Sequence, residues 1–315
     1  LNTNVILGCD VAGIIALFYN EGYIAYDKNI LSDFANKYEL ECNLIYSDDS
    51  KFAESLVRDV LEKYSLSKKY SVRKKIAHIG YEYTNYKISS IADEDFKKKY
   101  SSIIYGKGKP EQSYLLDSKG MINYIVLRDN KTNTDIKSSF RLLLSLISDN
   151  EKSRIINKKA QKIDIANNIL YLEDKTEIKY KNMISTIPLK TFSDMSGFFV
   201  KSDFETIEKN FYICGISNKN DEQLSRKYNY IYSICSSYSK KTYNEGYIVY
   251  EITKKPVTKF IDGNEIIEKV SLHSQIKNNV AISSHKNIQF VGRRAQWDHN
   301  IRLQNLIKRF KYQVL

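Results

Sequence analysis

The residues best placed to do chemistry are a glycine turn and the acid that follows it. The turn is Gly8-Cys9-Asp10-Val11-Ala12-Gly13, and the acid is Asp27, at the end of the next apolar run. Backbone N–H groups of such a turn, at the start of a helix, bind phosphate oxygens. A carboxylate after the second strand accepts hydrogen bonds from ribose hydroxyls. Gly8 would make the tight turn and Gly13 would let the helix pack closely. Asp10 stands where the dinucleotide pattern has a glycine. It sets a negative charge toward a dianion, and at about 4 Å with an effective dielectric of about 20 each charge pair repels by about 4 kcal/mol. Three outcomes stay open: Asp10 points away, a cation neutralises it, or the dinucleotide binds weakly or not at all.

Gly292-Arg293 is a second candidate phosphate or flavin contact. Arg293 could form a charge-assisted pair with a pyrophosphate and offset Asp10. The N–H groups opening the helix beyond it could donate to a flavin carbonyl. No catalytic acid or base is singled out. His78 and His299 are available, but both read more readily as surface or core residues.

These groups need strands and helices to hold them. Val5-Ile6-Leu7 reads as a strand, Ile14 to Tyr19 as a helix and Tyr23 to Tyr26 as a strand, the order of a βαβ unit. Phe52, Leu56, Val57, Val60, Leu61 and Tyr64 form a helical stripe over 48–64, with Asp48 or Asp49 as its cap. Residues 76–91 suit a hairpin, with Ile76, His78 and Gly80 against Tyr81 and Tyr83 and Asn85 near the turn. Residues 93–105 suggest a helix, and the chain reads as helical again from Gly120, with a stripe at Phe140, Leu143, Leu144 and Ile147. Short strands are expected at Ala160–Asp164, Ile169–Leu172 and Ile178–Tyr180. A buried strand Asn182–Leu189 is broken by Pro188. Further strands are expected at Tyr230–Cys235, Tyr247–Ile252 and Ile288–Val291. A terminal helix would carry Ile301, Leu303, Leu306, Ile307 and Phe310.

The 315 residues carry a net charge of +12, against an ordinary 42% hydrophobic and 27% charged content. Such a surface attracts nucleotides, phosphorylated sugars, nucleic acid or anionic membrane, although it also suits a plain lysine-coated protein. Lys clusters such as Lys97-Lys98-Lys99 lie near Tyr100 and other tyrosines, the composition of a stacking groove. Cys9, Cys42, Cys214 and Cys235 are dispersed, as are the four His residues. That argues against a zinc site or a disulfide framework and makes a reducing, cytoplasmic setting the default. No apolar stretch approaches the roughly 20 residues of a membrane span. The N-terminal apolar run has no basic residues before it and reads as a strand rather than a signal peptide.

Together these segments resemble the FAD-binding family of UDP-galactopyranose mutase, protoporphyrinogen oxidase and the flavin amine oxidases. Four places carry the resemblance: Val5 to Gly13 with Asp27; Ala160-Gln161-Lys162-Ile163-Asp164; Ile184-Ser185-Thr186-Ile187-Pro188-Leu189; and Phe290-Val291-Gly292-Arg293-Arg294-Ala295-Gln296-Trp297-Asp298. The mutase branch looks nearer, with Gln304 in the closing helix. Lys241-Thr242 stands where that branch has an arginine, ahead of Tyr250-Glu251-Ile252-Thr253. The chain departs from the family at Asp10, in having Asp27 rather than Glu, and in lacking a Gly-Gly pair after Asp27.

The resemblance implies an α/β protein with a discontinuous Rossmann-like FAD-binding domain, 1–45, 111–195 and 281–315, and an inserted α+β substrate domain, 46–110 and 196–280. It implies FAD contacts at Gly8, Asp10, Gly13, Asp27, Lys28, Ala160, Thr186, Gly292, Arg293, Trp297, Arg302 and Leu303. The function it implies is that of an FAD-dependent oxidoreductase acting on a nucleotide-linked or other anionic small molecule. The alternatives are a sugar-nucleotide isomerase that uses reduced FAD and a non-catalytic binding protein on the same scaffold. Basic charge leaves nucleic acid as a further partner.

Overall fold

Val5, Ile6 and Leu7 are apolar on successive residues, the pattern of a strand covered on both faces, and in the computed structural model their strand, Thr3–Leu7, lies inside a parallel sheet. The structure describes residues 3–28, 45–46, 50–105, 119–136, 138–197, 206–235, 238–244, 246–252, 259–275, 285–292, 295–296 and 303–312. The chain divides into one unit of Leu1–Arg73, Ile125–Glu205 and Gln275–Leu315 and a second of Lys74–Tyr124 and Thr206–Ser274.

The first unit's sheet uses β1 (Thr3–Leu7), β2 (Tyr23–Tyr26), β3 (Ile155–Ile156), β4 (Ala160–Asp164), β5 (Ile169–Leu172), β6 (Glu177–Ser185) and β7 (Ile288–Phe290). Their order is β3-β2-β1-β6-β5-β4, with β7 also on β6. The strands β3, β2, β1, β6 and β7 run parallel, whereas β5 pairs antiparallel with the first half of β6 and β4 antiparallel with β5. Thus β6 is one long strand, where the sequence suggested two short ones. Its first half holds the hairpin and its end pairs with β7 at Ser185 and Phe290.

The helices of this unit are α1 (Val11–Tyr19), α2 (Ser50–Lys63), α3 (Ser139–Asn150), α4 (Leu189–Ser196) and α5 (Leu303–Tyr312). Every residue of α1 from Ala12 to Phe18 is buried. The helix shares one core with Leu56, Val57 and Val60 of α2, Leu143, Leu144 and Ile147 of α3, and Leu306 and Ile307 of α5. A helix buried all round must find partners for the polar groups at both ends. At its C-terminus Arg154 donates to the carbonyls of Leu17, Asn20, Glu21 and Tyr23, and its guanidinium is held by Glu151. Because α2 shares this core, residues 46–73 belong to the first unit, whereas the sequence reading had put 46–110 in the insertion.

Among the described residues the second unit's strands order as Phe260–Ile261, Asn264–Gln275, Thr206–Gly215, Tyr247–Ile252, Lys240–Asn244, Tyr230–Ser233, Tyr70–Glu82 and Met121–Asp129. Helices Glu94–Tyr105 and Lys219–Lys227 complete its α+β pattern. Three expectations change. Tyr70–Glu82 is a single strand that carries Ala77, Ile79 and Tyr81 inward, and the turn falls at Tyr83–Tyr86, after which Ile88–Ser89 returns. Residues 121–129, expected to be helical, form a strand in which Ile122, Ile125, Val126 and Leu127 are buried, on both of its faces. The long strands Thr206–Gly215 and Asn264–Gln275 and the helix Lys219–Lys227 were not expected.

Candidate dinucleotide site

In an open parallel sheet the crevice lies beyond the carboxyl ends of the strands, where connections leave a central strand in opposite directions. Here the chain leaves β1 through α1 to β2 on one side, and β6 flanks β1 on the other. The strand ends are laced together. The Gly8 N–H donates to the Tyr26 carbonyl at 3.1 Å, Thr186 N–H to Leu7 at 2.9 Å and Val291 N–H to Ser185 at 2.9 Å. This edge brings together Gly8, Asp10, Gly13, Asp27, Thr186 and Gly292, six of the residues singled out from the sequence.

Gly8 has φ +105°, and a Cβ there would strike the Thr186 hydroxyl. A Cβ on Gly13 would strike the Gly8 carbonyl, so the turn and the first helical residues are in backbone contact. Both positions need glycine because the helix starts directly on the strand end. Gly292, at φ +95°, faces Ala12, with 2.9 Å between an added Cβ and the Ala12 Cβ. Thr186 is buried, and its hydroxyl donates to the Leu7 carbonyl at 3.2 Å, tying β6 to β1.

Two carboxylates occupy the turn. Asp10 is the N-cap of α1, with an extended backbone, and its Oδ1 accepts from the Gly13 N–H at 3.0 Å. Its side chain therefore faces the helix N-terminus and does not point away. Asp27 Oδ2 accepts from the Cys9 N–H at 2.6 Å. Burial first, and then the charges of Asp27 and Asp10, push the Cys9 thiol well above its ordinary pKa, so it stays a neutral thiol. No acceptor for the Val11 and Ala12 N–H groups exists within the helix, since both lie in its first turn.

The other singled-out residues are placed differently. Lys28 is 57% exposed at its side chain and pairs with Glu173 at 3.1 Å, on the far end of the β4–β5 hairpin. Ala160 is buried beside Leu7, Tyr26 and Leu172, and its backbone pairs with Leu172. Leu303 begins α5, and Arg293, Trp297, Arg302 and His299 lie outside the described residues. His78 is exposed on the Tyr70–Glu82 strand of the second unit. Lys241, in the position of the family arginine, is 4% exposed and is paired with Asp221 at 3.1 Å and Asp262 at 2.9 Å. It is a structural cation of the second unit. Sequence reasoning missed the Cys9 N–H as the partner of Asp27, and it missed Arg154. The only local signal for Arg154 was Glu151 three residues before it, a helical ion-pair spacing.

No protein-family model matches the chain, and no curated protein sequence matches it. Solved structures do. The structure of reduced UDP-galactopyranose mutase superposes with TM-score 0.63 at 10% identity, over 98% of this chain and 91% of that one. p-Nitrophenol 4-monooxygenase PnpA from Pseudomonas putida DLL-E4 gives 0.53 at 10% identity, over 93% and 72%. Putrescine oxidase bound to putrescine gives 0.50 at 7% identity, over 81% and 76%. Likeness at such identities is a likeness of fold alone, and the fold is one that this chain shares with these three enzymes.

Proposed function

We propose that this chain is an FAD-dependent flavoprotein acting on an anionic, nucleotide-linked small molecule. One observation carries the reading. The glycine turn, the α1 N-terminus and Asp27 converge at the carboxyl edge of β1, β2 and β6, where this fold takes a dinucleotide. The donor set suits FAD. The Val11 and Ala12 N–H groups would bind the pyrophosphate oxygens, and the Asp27 carboxylate, oriented by Cys9, would accept from a ribose hydroxyl. Gly8 and Gly13 keep side chains out of the backbone's approach. Bound there, FAD supplies the two-electron chemistry, and the chain supplies position and field. Of the remaining assigned contacts, Gly292 and Arg293 would serve the pyrophosphate or the flavin, Trp297, Arg302 and Leu303 the flavin ring, with Lys28 and Ala160 toward the adenine. The second unit, Lys74–Tyr124 with Thr206–Ser274, is the proposed substrate domain. The net charge of +12 supports an anionic substrate.

Isomerisation of a sugar nucleotide is the favoured reading over oxidation, supported by the mutase structure that spans 98% of this chain. The purified protein should be yellow or should take up added FAD, with the flavin absorbance bands as the readout. A colourless protein that takes up none would overturn the flavoprotein reading. Turnover that needs prior reduction by dithionite supports isomerisation, and oxygen-dependent peroxide release supports oxidation instead.

A further inference from the structure

We infer that Asp10 is a built-in competitor for the cofactor's phosphate, a specificity-determining group that lowers the affinity of the seat for dianions. The inference rests on the flavoprotein reading above. The Asp10 carboxylate sits on the positive end of α1, with Oδ1 3.0 Å from the Gly13 nitrogen, and its carbonyl accepts from the Ile14 N–H at 2.9 Å. A pyrophosphate drawn to the first-turn amides of Val11 and Ala12 enters the same positive field. It meets a fixed negative charge one residue before those amides. Loading therefore requires the Asp10 side chain to leave the Gly13 N–H or to share the helix end with the phosphate at an electrostatic cost. Adenosine, which carries no phosphate, feels no such competition.

The test is equilibrium binding by calorimetry of FAD, ADP and adenosine to the wild-type protein, Asp10→Asn and Asp10→Ala. Asn keeps a side-chain oxygen for the Gly13 N–H, so Asp10→Asn retains the cap without the charge. Both variants should bind FAD and ADP at least about tenfold more tightly than wild type, with adenosine unchanged within about twofold. Unchanged affinity for FAD and ADP in both variants overturns the inference and leaves the flavoprotein reading standing. So does an equal gain for adenosine, which would mark a general loosening of the turn. Uptake of no ligand by any of the three proteins overturns both. Melting without ligand gives a second readout: Asp10→Ala should lose a few degrees with its cap, and Asp10→Asn about 1 °C or less.

Discussion

Asp10 and Asp221 both serve helix N-termini, and their surroundings could hardly differ more. Asp10 caps α1 in the first unit, is part-buried, and accepts from a backbone amide of the turn. Asp221 lies in the first turn of the second unit's helix Lys219–Lys227 and is 1% exposed. Around Asp221 converge the Lys241 ammonium, the hydroxyls of Tyr243 and Tyr250, and the amides of Asn264 and Asn218. A carboxylate saturated by side chains from several strands leaves no position for a ligand and acts on stability. A carboxylate held by a backbone amide at a sheet edge occupies the position that a ligand anion would take. Asp221 seals the second unit, and Asp10 guards the first.

The largest effect should come from breaking the sealed cluster. Asp221→Ala leaves the buried Lys241 with Asp262 as its remaining carboxylate and takes the acceptor from the hydroxyls and amides around it, and should cost about 3–5 kcal/mol in urea unfolding. A loss below about 1 kcal/mol would mean that the cluster is wet and the contrast false. Arg154→Ala leaves the C-terminal carbonyls of α1 without their donor and Glu151 without its closest partner, and should cost about 2–3 kcal/mol. It should leave the ADP affinity of the other helix end within about twofold.

Acid should act through the sealed groups first. Burial raises the Asp221 pKa, but the Lys241 charge and the hydrogen bonds from Tyr243, Asn218 and Asn264 outweigh it, so the carboxyl titrates below its ordinary range. Glu151 is depressed in the same way, against burial, by Tyr64, Arg154 and Lys63. Carboxyls with depressed folded-state pKa values contribute their stability above the unfolded value and lose it as pH falls through the folded one. The Tm should therefore hold from neutral to about pH 5 and drop below about pH 4. Asp221→Asn should flatten that drop, and an unchanged acid limb in the variant would show that other groups govern it. The smallest effect belongs to Asp10. Asp10→Ala should cost about 1 kcal/mol as a lost cap, measured by the same unfolding titration. A loss near that of Asp221→Ala would erase the distinction between the two sites.

Much of the first unit was legible from local signals. Successive apolar residues gave β1 and β2, the stripe at Leu56, Val57 and Val60 gave α2, and glycines at 8 and 13 gave the turn. The second unit was harder to read. Its long strands Thr206–Gly215 and Asn264–Gln275 mix charged and apolar residues, so their period is weak until a neighbouring strand assigns each face. The stretch after Gly120 misled for a related reason. Met121, Ile122, Ile125, Val126 and Leu127 fit either period, and strand pairing decided between them.

The sequence by itself determined the βαβ order, the glycine turn, the acid at Asp27 and the odd charge at Asp10. These depend on neighbours along the chain. Only the tertiary structure decided that the ends of β1, β2, β6 and β7 meet at one edge, that Asp10 turns inward onto Gly13, and that Lys241 is locked to Asp221. Each of those outcomes is a pairing between residues distant in the chain or a choice of side-chain direction. Burial and hydrogen bonding settle both, and neither leaves a period in the sequence.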